Sequence, residues 1–304
     1  MNCNNAYPLV SIVTPAYNQA EYLEETIESV LSQSYPNIEY IVLDDGSTDH
    51  TRDILKKYEG KIHWESHENM GQARTLNKGW AMSKGEILSY LSSDDVLDVH
   101  AIKMLMEKYV GGPSIIFGGY RLIDQMGQKI KTKKTRFHGY KDMVHHFNCP
   151  IGPGAVFSRD LFLSSGGWNT DFKQIPDYDF WIRVGRGAKL IRVDNEIASF
   201  RVHTGSQTFA SCTPYKADES IICINEFFKS NEIKKFNLNK SQSLASAYIY
   251  SSCLHLRSGR YNQASKRFVQ SILYGNYYAF SFRNAIRFFG SIYSIFKYRY
   301  IGNK

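Results

Sequence analysis

The sequence predicts an α/β fold, in which a mostly parallel central sheet is flanked by helices and is followed by an all-helical C-terminal region. Short apolar runs alternate with helical segments of about ten residues through the first hundred positions, which is the pattern of βαβ units. Two of these runs end in adjacent aspartates. After residue 208 the alternation stops and helical periodicity dominates. A chain of 304 residues can hold one large domain and an appendage, so we place the domain at 1–208 and the helical region at 209–304.

The elements of the front region follow from their residues in order. Four apolar runs have the length of buried strands: Leu9–Thr14, Ile38–Leu43, Ile62–Ser66 and Ile87–Leu91. After the first run, Asn18 and Glu21 have the spacing of a helix-capping box. Gly71 opens a helix that extends to Met82, and Gly85 closes it. Later strands are predicted at Ile115–Phe117, Leu190–Val193 and Ala198–Val202.

The fourth apolar run indicates a ligand site. It stops on Ser92 and Ser93, followed by Asp94 and Asp95. Open α/β sheets bind ligands at the carboxyl ends of their parallel strands. Two adjacent carboxylates concentrate negative charge there, which is costly unless a cation or ligand donors compensate it. Hard oxygen ligands suit Mg2+ or Mn2+, with substrate phosphates completing the coordination.

Composition excludes several classes of protein. The 5 cysteines are scattered without a Cys-x-x-Cys spacing, so neither a zinc site nor a disulfide framework is indicated, and a reducing cytoplasm is expected. The first residues lack the basic and apolar regions of a signal peptide. No run of about 18 apolar residues is present, so the sequence predicts no membrane-spanning segment.

Charge is distributed unevenly. Residues 1–100 carry 7 Lys/Arg and 16 Asp/Glu, whereas residues 229–304 carry 13 Lys/Arg and a single acid, Glu232. An acidic front and a basic tail favour an anionic surface as partner for the tail, although a solvated basic face explains the same charges. The tail's aromatic residues follow a helical stripe and are not isolated stacking platforms, so nucleic-acid binding is not expected.

The C-terminal region has two features of its own. Ser243–Arg257 and Asn262–Tyr274 flank Ser258-Gly259-Arg260 and predict a helical hairpin. Beyond it, one helical face carries Phe282, Ile286, Phe289, Tyr293 and Phe296. Basic residues lie toward its polar side, and such a helix can lie in a membrane interface. The alternative is that this face packs on the hairpin.

Several motifs, taken together and in order, resemble one family. They are Val10-Ser-Ile-Val-Thr-Pro-Ala-Tyr-Asn18, Val42-Leu-Asp-Asp-Gly-Ser-Thr-Asp49, Asn69-x-Gly71-Gln72 with Leu76-Asn77-Lys78-Gly79, Leu91-Ser-Ser-Asp-Asp95, Gly166-Gly167-Trp168, Asp177-Tyr-Asp-Phe-Trp181 and Phe200-Arg201-x-His203-x-Gly205-Ser206-Gln207-Thr208. The ordered set resembles family 2 glycosyltransferases over about residues 8–208. The resemblance implies a GT-A fold, which is Rossmann-like, and inverting transfer from a nucleotide-sugar. The subgroup that it most resembles decorates bacterial surface polysaccharides such as O-antigen or capsule.

The resemblance also implies a donor site. By it, Thr14, Pro15, Ala16 and Tyr17 line the base and ribose, and Asp44 accepts a hydrogen bond from the pyrimidine N–H. Gly71 and Asn77 belong to the same nucleotide-binding set.

A second set surrounds the diphosphate. By resemblance, Asp95 is the direct ligand of a divalent metal, and Asp94 contacts the ribose or a metal-bound water. His203 ligates the metal or donates to the leaving diphosphate, with Arg201 nearby. Ser93 stands where the family often has a further aspartate, so one carboxylate of the metal shell is absent.

The same resemblance makes Asp177 the general base that deprotonates the acceptor hydroxyl. Pro176 replaces the acid that usually precedes it, and Asp179 is the rival. The sequence therefore predicts a metal-dependent inverting transferase, with a UDP-sugar as the default donor and a glycan or lipid-linked acceptor. Its expected place is the cytoplasm, with a peripheral position on the inner face of the cell membrane as the further option. The alternative is a non-catalytic nucleotide-sugar-binding relative, because two family acids are missing.

Overall fold

The computed structural model describes residues 7–133, 137–203, 205–206 and 210–275. The chain divides into two compact units. The sheet unit consists of residues 1–137, 150–170 and 187–206, and the helical unit consists of residues 138–149, 171–186 and 207–304. The helical unit therefore takes two segments from the front of the chain in addition to its C-terminal part.

The sheet unit contains the strands of the molecule. Among the described residues they are β1 (Val10–Ala16), β2 (Ile38–Asp44), β3 (His63–Ser66), β4 (Ile87–Tyr90), β5 (Val96–Leu97), β6 (Ser114–Ile123), β7 (Lys129–Lys133), β8 (Val156–Ser158) and β9 (Lys189–Arg201). They form one sheet with the order β3-β2-β1-β4-β8-β6-β9-β5, and β7 pairs with β6. The pairs β3–β2, β2–β1, β1–β4 and β6–β9 are parallel, whereas β8 runs antiparallel between β4 and β6.

Helices connect the strands of this unit. They are α1 (Leu23–Leu31), α2 (Thr51–Lys57), α3 (Gln72–Met82), α4 (Ala101–Met106) and α6 (Arg159–Ser165). β1 lies at the centre of the parallel strands, and every one of its residues is buried. A Cβ atom at Gly79 of α3 would lie 2.3 Å from a methyl carbon of Val13, so only glycine allows this helix to lie so close to the sheet. The predicted α/β fold with a sheet flanked by helices is confirmed.

The helical unit has a separate core. Its helices are α5 (Tyr140–His145), α7 (Pro176–Gly185), α8 (Pro214–Phe227), a 3-10 turn (Asn231–Phe236), α9 (Lys240–Arg257) and α10 (Tyr261–Gly275). Buried apolar side chains from four of them, including Val144, Ile182, Ile224 and Leu244, form one cluster. The predicted helical hairpin is confirmed as α9 and α10, whose turn contains Gly259 at φ +74°.

Two predicted elements differ in the structure. The capping box at Asn18 is wrong: α1 begins at Leu23, and Asn18, at φ +52°, accepts hydrogen bonds from the backbone N–H and hydroxyl of Thr48. The two predicted strands between 190 and 202 are one strand, β9, which stays paired with β6 across irregularities at Phe117 to Tyr120.

Two expectations concern the C-terminal region. The amphipathic face at 282–296 lies outside the described residues. Within the ranges that are described, no helix is long and apolar enough to cross a membrane.

Candidate active site

Asp94 and Asp95 lie in the short connection between β4 and β5, at the carboxyl end of β4. The Asp95 side chain is 2% exposed, and its Oδ1 accepts the backbone N–H of Arg201 at 3.0 Å. Arg201 is the last residue of β9. β9 pairs antiparallel with β5 through Val96 and Leu97, and this pairing brings a segment that is more than 100 positions away in sequence against the two acids.

Asp94 contacts the imidazole of His203. The Nε2 atom of His203 lies 3.0 Å from Asp94 Oδ2, and both side chains are mostly buried, with 8% and 13% exposed. The ring of Tyr22, just before α1, lies 4.9 Å from the imidazole ring, centroid to centroid. The structure thus brings together the three residues predicted around the metal.

Burial raises the pKa of Asp95 well above its usual range, and the neighbouring charge of Asp94 adds to the rise. The N–H and the charge of Arg201 only partly oppose it. An anionic Asp95 is therefore under-compensated by the protein alone. A bound divalent cation is one form of compensation that would favour the ionised pair.

In the described part of the chain, no group of three or more His, Cys, Asp or Glu side chains is arranged to hold a metal ion by itself. The donor types nevertheless fit a hard divalent ion, since two carboxylates and an imidazole lie together around Asp94. Mg2+ and Mn2+ sites of this kind use few protein ligands and take the rest of their coordination from substrate phosphates and water. Asp95, Asp94 and His203 are the residues that would hold it.

Arg201 does not have the role predicted for it at the diphosphate. Its side chain is 1% exposed, and Nε donates to the carbonyl of Asp94. Nη1 donates to the carbonyls of Asp124 and Gln125, and Nη2 donates to the carboxylate of Glu25. Because four of the five guanidinium protons are directed to protein oxygens, Arg201 holds the walls of the site in place and does not face a ligand.

Most of the predicted base-and-ribose loop belongs to a strand. β1 continues to Ala16, and Thr14, Pro15 and Ala16 are buried within it. The Thr14 hydroxyl accepts a hydrogen bond from Tyr40 at 3.2 Å. Tyr17 is 48% exposed, so of the four predicted residues it alone presents a side chain to solvent at the end of β1.

Asp44 is buried and saturated with hydrogen bonds. One oxygen accepts the N–H of Ser47, and the other accepts the hydroxyl of Ser66 at 2.6 Å and Nε of Arg52 at 2.8 Å. Burial alone would raise the pKa of Asp44, but the hydrogen bonds from Ser47, Ser66 and Arg52 outweigh it and lower the pKa. The carboxylate is anionic but fully covered, whereas Arg52 is 49% exposed. The Asp44 carboxylate is therefore not accessible for the predicted direct contact with a base. The exposed charged group beside it is Arg52.

Asp45 has a role that the sequence did not reveal. Its two oxygens accept the backbone N–H groups of Met70 and Gly71 at 2.7 and 3.0 Å. Gly71, at φ +89°, precedes α3, and a Cβ at Gly46 would lie 2.8 Å from the nitrogen of Asn69. Asp45 thus joins the end of β2 to the start of α3, and Gly71 contributes its backbone conformation and its N–H. The turn motif of residues 44–47 gives no sequence signal for this contact, whose partners lie 25 and 26 positions away.

Asn77, predicted to bind the donor, is instead bound to the protein. Its amide nitrogen donates to the carbonyl of Trp168 and its oxygen accepts the Trp168 N–H, both at 2.8 Å. A Cβ at Gly167, which has φ +81°, would lie 2.3 Å from that amide oxygen. Asn77 therefore holds the Gly166-Gly167-Trp168 turn against α3.

Asp177 and Asp179 lie in the first turn of α7, in the helical unit. Asp179 is buried, forms an ion pair of 2.8 Å with Arg183 and contacts the thiol of Cys223. Asp177 is half-buried, and its carboxylate is turned toward the backbone N–H groups of Asp177 and Tyr178. Burial raises the pKa of Asp177, those N–H groups oppose the rise, and the charge of Asp179 adds to it. Of the two rivals, Asp179 is held in an ion pair, whereas the carboxylate of Asp177 has no ion-pair partner within the described ranges.

Comparison with known proteins identifies the family. The model of glycosyl transferase family 2 matches residues 11–168, which include β1 to β4 and the Asp94–Asp95 pair. A glycosyltransferase of Rickettsia typhi is 33% identical over 217 residues, which cover 68% of this chain and 68% of the relative. The chain belongs to glycosyl transferase family 2. It is therefore a glycosyltransferase.

Other relatives of this glycosyltransferase align with it over about half of their own length or less. A glycosyltransferase of Rickettsia felis is 32% identical over 208 residues, 65% of this chain and 35% of that protein. TuaG of Bacillus subtilis, whose name assigns it to teichuronic acid biosynthesis, is 41% identical over 129 residues, 40% of this chain and 51% of TuaG.

Solved structures confirm the GT-A fold of the glycosyltransferase. Residues 1–349 of Staphylococcus aureus TarS, in complex with UDP-GlcNAc, match with a TM-score of 0.68 at 15% identity, over 97% of this chain and 92% of that one. The mannosyltransferase PcManGT of Pyrobaculum calidifontis, in complex with GDP-Man and Mn2+, matches with a TM-score of 0.55 at 17% identity, over 96% of this chain and 88% of that one.

Proposed function

We propose that this glycosyltransferase is a metal-dependent inverting enzyme that moves a sugar from a UDP-sugar to a hydroxyl group of a glycan or lipid-linked acceptor. The observation that carries the proposal is that Asp95, Asp94 and His203 lie together at the carboxyl end of β4. Two adjacent acids and an imidazole, held by a buried arginine, form a site for a divalent ion with a diphosphate. PcManGT, which was solved with Mn2+, supports the metal, and TarS, which was solved with UDP-GlcNAc, supports the nucleotide.

The proposed chemistry assigns each group one task. Tyr17 and Arg52, the exposed side chains next to the ends of β1 and β2, would contact the nucleoside end of the donor. A bound Mn2+ or Mg2+ would neutralise the charge that develops on the departing diphosphate. Asp177 would accept the proton of the acceptor hydroxyl as that oxygen attacks the sugar carbon from the face opposite the diphosphate. Attack from that face inverts the anomeric configuration.

The place of the reaction is proposed from relatives and composition. TuaG, with its name in teichuronic acid biosynthesis, supports a role in bacterial surface polysaccharide synthesis. A lipid-linked acceptor would bring the enzyme to the inner face of the cell membrane, and the basic aromatic segment at 282–297 would supply the peripheral contact.

A donor screen tests the function. The full chain is incubated with UDP-, dTDP- and GDP-sugars, with Mn2+ or with a chelator, and release of the nucleoside diphosphate is measured. We expect release from a UDP-sugar with Mn2+ and none with the chelator. Equal release in both conditions would contradict metal dependence. Donor binding without any release, with or without acceptor glycans, would instead favour the alternative of a nucleotide-sugar-binding relative.

A further inference from the structure

A buried acid in the helical unit lies against the segment that leads to Asp177. Glu219, on α8, has a fully buried side chain. Its Oε1 accepts the backbone N–H of Lys173 at 2.8 Å. Its Oε2 accepts the N–H of Gln174 at 2.6 Å and that of Ile175 at 3.3 Å. One carboxylate therefore binds three consecutive peptide groups immediately before α7.

A carboxylate buried in this way needs strong compensation. Burial raises the pKa of Glu219, whereas the N–H groups of residues 173–175 and, more weakly, the charge of Lys216 lower it. The backbone of residues 173–175 is thus the main partner of the Glu219 charge, and the segment is in turn held by it. Hydrogen bonds to an ionised acceptor are about twice as strong as neutral ones.

Among the described residues, the start of α7 has no hydrogen-bonded side-chain cap at its N-cap position. Its N-cap residue, Ile175, has no side chain that can accept a hydrogen bond, and Pro176 has no N–H. The chain enters the helix at Ile175, and Asp177 follows two positions later. Glu219 therefore supplies from a neighbouring helix the negative group that a capping residue would supply locally.

We propose that Glu219 is a positioning residue that holds the entry to α7 and so fixes the place and orientation of the Asp177 carboxylate. The inference rests on the proposed function, in which Asp177 is the general base. Glu219 contacts neither donor nor acceptor in this assignment. It acts only through the backbone that carries Asp177.

The experiment compares three variants of the full chain. Glu219→Gln keeps the volume but turns an amide donor toward the N–H groups, so it opposes the contact that Glu219 makes. Glu219→Asp keeps the charge and shortens the reach. Glu226→Gln is the matched control, since Glu226 lies on the same helix, is 56% exposed and pairs with Lys229.

For Glu219→Gln we expect kcat to fall by about tenfold to a hundredfold, the range that a small misplacement of a catalytic group produces. Donor Kd should stay within about twofold, because Glu219 does not contact the donor in this assignment. A twofold change in Kd corresponds to under about 0.5 kcal/mol of binding free energy. The acid limb of the kcat–pH profile should move to lower pH, since a loosened segment exposes Asp177 to water and relieves the burial that raises its pKa. Glu219→Asp should recover part of kcat, and Glu226→Gln should match the wild type.

Three outcomes separate this inference from the proposed function. If Asp177→Asn transfers normally, the base assignment itself fails, whatever Glu219 does. If Asp177→Asn loses transfer while Glu219→Gln keeps the wild-type kcat and acid limb, the inference about Glu219 is wrong. If the Glu219 variants do not fold, amide hydrogen exchange of the wild type decides: the N–H groups of residues 173–175 must exchange at least about a hundredfold slower than unprotected amides, and free exchange overturns the proposal.

Discussion

The side-chain amide of Asn77 forms two hydrogen bonds with the backbone of Trp168, one to its carbonyl and one from its N–H, each 2.8 Å long. They connect α3 with a turn 91 positions later in the chain, and Gly167 allows the close approach. Both polar atoms of the Asn77 amide are directed to the backbone of Trp168, which leaves one amide proton and one lone pair of the oxygen. The contact therefore belongs to the folding of the sheet unit.

Replacing Asn77 with Leu should lower stability and leave the donor site intact. Two lost hydrogen bonds of about 1 kcal/mol each predict a free energy of unfolding reduced by about 2 kcal/mol, measured by urea denaturation. Arg74→Gln, an exposed change on the same helix, should have an effect within about 0.5 kcal/mol. If Asn77→Leu keeps full stability but no longer binds UDP, Asn77 contacts the donor after all.

Replacing Arg201 with Met should destabilise the protein strongly. The change removes the donor to the carbonyls of Asp94, Asp124 and Gln125, and losing one partner of a charge network around a buried arginine costs about 3–5 kcal/mol. Glu25→Gln removes only the 55% exposed end of the network and should cost less than about 1 kcal/mol. Similar losses for the two variants in denaturant titrations would show that the buried contacts contribute little.

Replacing Asp95 with Asn should remove the effect of Mn2+ on nucleotide binding. In calorimetry with UDP, the affinity of the wild type should increase when Mn2+ is added. In the presence of Mn2+, the affinity of the variant should be lower than that of the wild type by at least about tenfold, or 1.4 kcal/mol. Asp53→Asn, which changes a 61% exposed acid, is the control. An Asp95→Asn variant that keeps the full Mn2+ enhancement would sink the proposed metal site.

The pH dependence of transfer should report the raised pKa of Asp177. A general base works only when deprotonated, so activity is lost as pH falls through its pKa. Because burial raises the pKa of Asp177 above the usual value of 3.8, the acid limb of kcat should lie at higher pH than for an ordinary aspartate. Asp179→Asn breaks the pair with Arg183 and should lower stability without abolishing that limb. A limb that disappears in Asp179→Asn would transfer the base role to Asp179.

Stability of the protein should fall in mild acid because of His255. The imidazole of His255 is fully buried, and its Nε2 lies 3.2 Å from Asp218 Oδ1. Its Nδ1 accepts a hydrogen bond of 2.8 Å from Nε of Arg260. Because Nδ1 is an acceptor, the ring is neutral. Burial lowers the pKa of His255 from 6.5, and the charges of Arg260 and Arg267 lower it further. The hydrogen bond and the charge of Asp218 act in the opposite direction but do not outweigh them. Below about pH 6.5 the unfolded chain then binds more protons than the folded one, so the free energy of unfolding falls as pH falls toward the lowered folded pKa.

Thermal unfolding between pH 5 and 8 measures this effect. His255→Gln should flatten part of the slope, and the 90% exposed His50, changed to Gln, should leave it unchanged. His145 accepts the N–H of Asn239, and its pKa is also lowered by burial, so some slope should remain in the variant. An unaltered slope in His255→Gln would remove His255 from this explanation.

Local patterns predicted the elements well and the end of β1 poorly. The four early strands and α3 were found because apolar runs and helical spacing are local signals. The first strand is predicted to end at Thr14, yet β1 continues through Pro15 to Ala16. Its pairing with β4 stops at Val13, so the missing N–H of Pro15 falls on the side where no neighbour needs it.

Site residues were predictable where they are adjacent in sequence. Asp94 and Asp95 follow one apolar run and were found from it. The roles of Arg201, Asn77 and Glu219 depend on partners 44 to 176 positions away, so their residue types alone suggested ligand contacts or nothing. A polar side chain near a site binds a substrate or the protein according to which tertiary partner reaches it, and one sequence does not specify that partner.

The contact between Asp95 and the N–H of Arg201 has a consequence for biosynthesis. β9 is the last strand of the sheet in chain order, and it closes a loop of 106 residues onto Asp95. A nascent chain that has already emerged through β5 carries both acids but lacks the strand that completes their surroundings. Under the proposed function, a product truncated before β9 lacks the strand that completes the diphosphate site, and we expect it not to bind the donor.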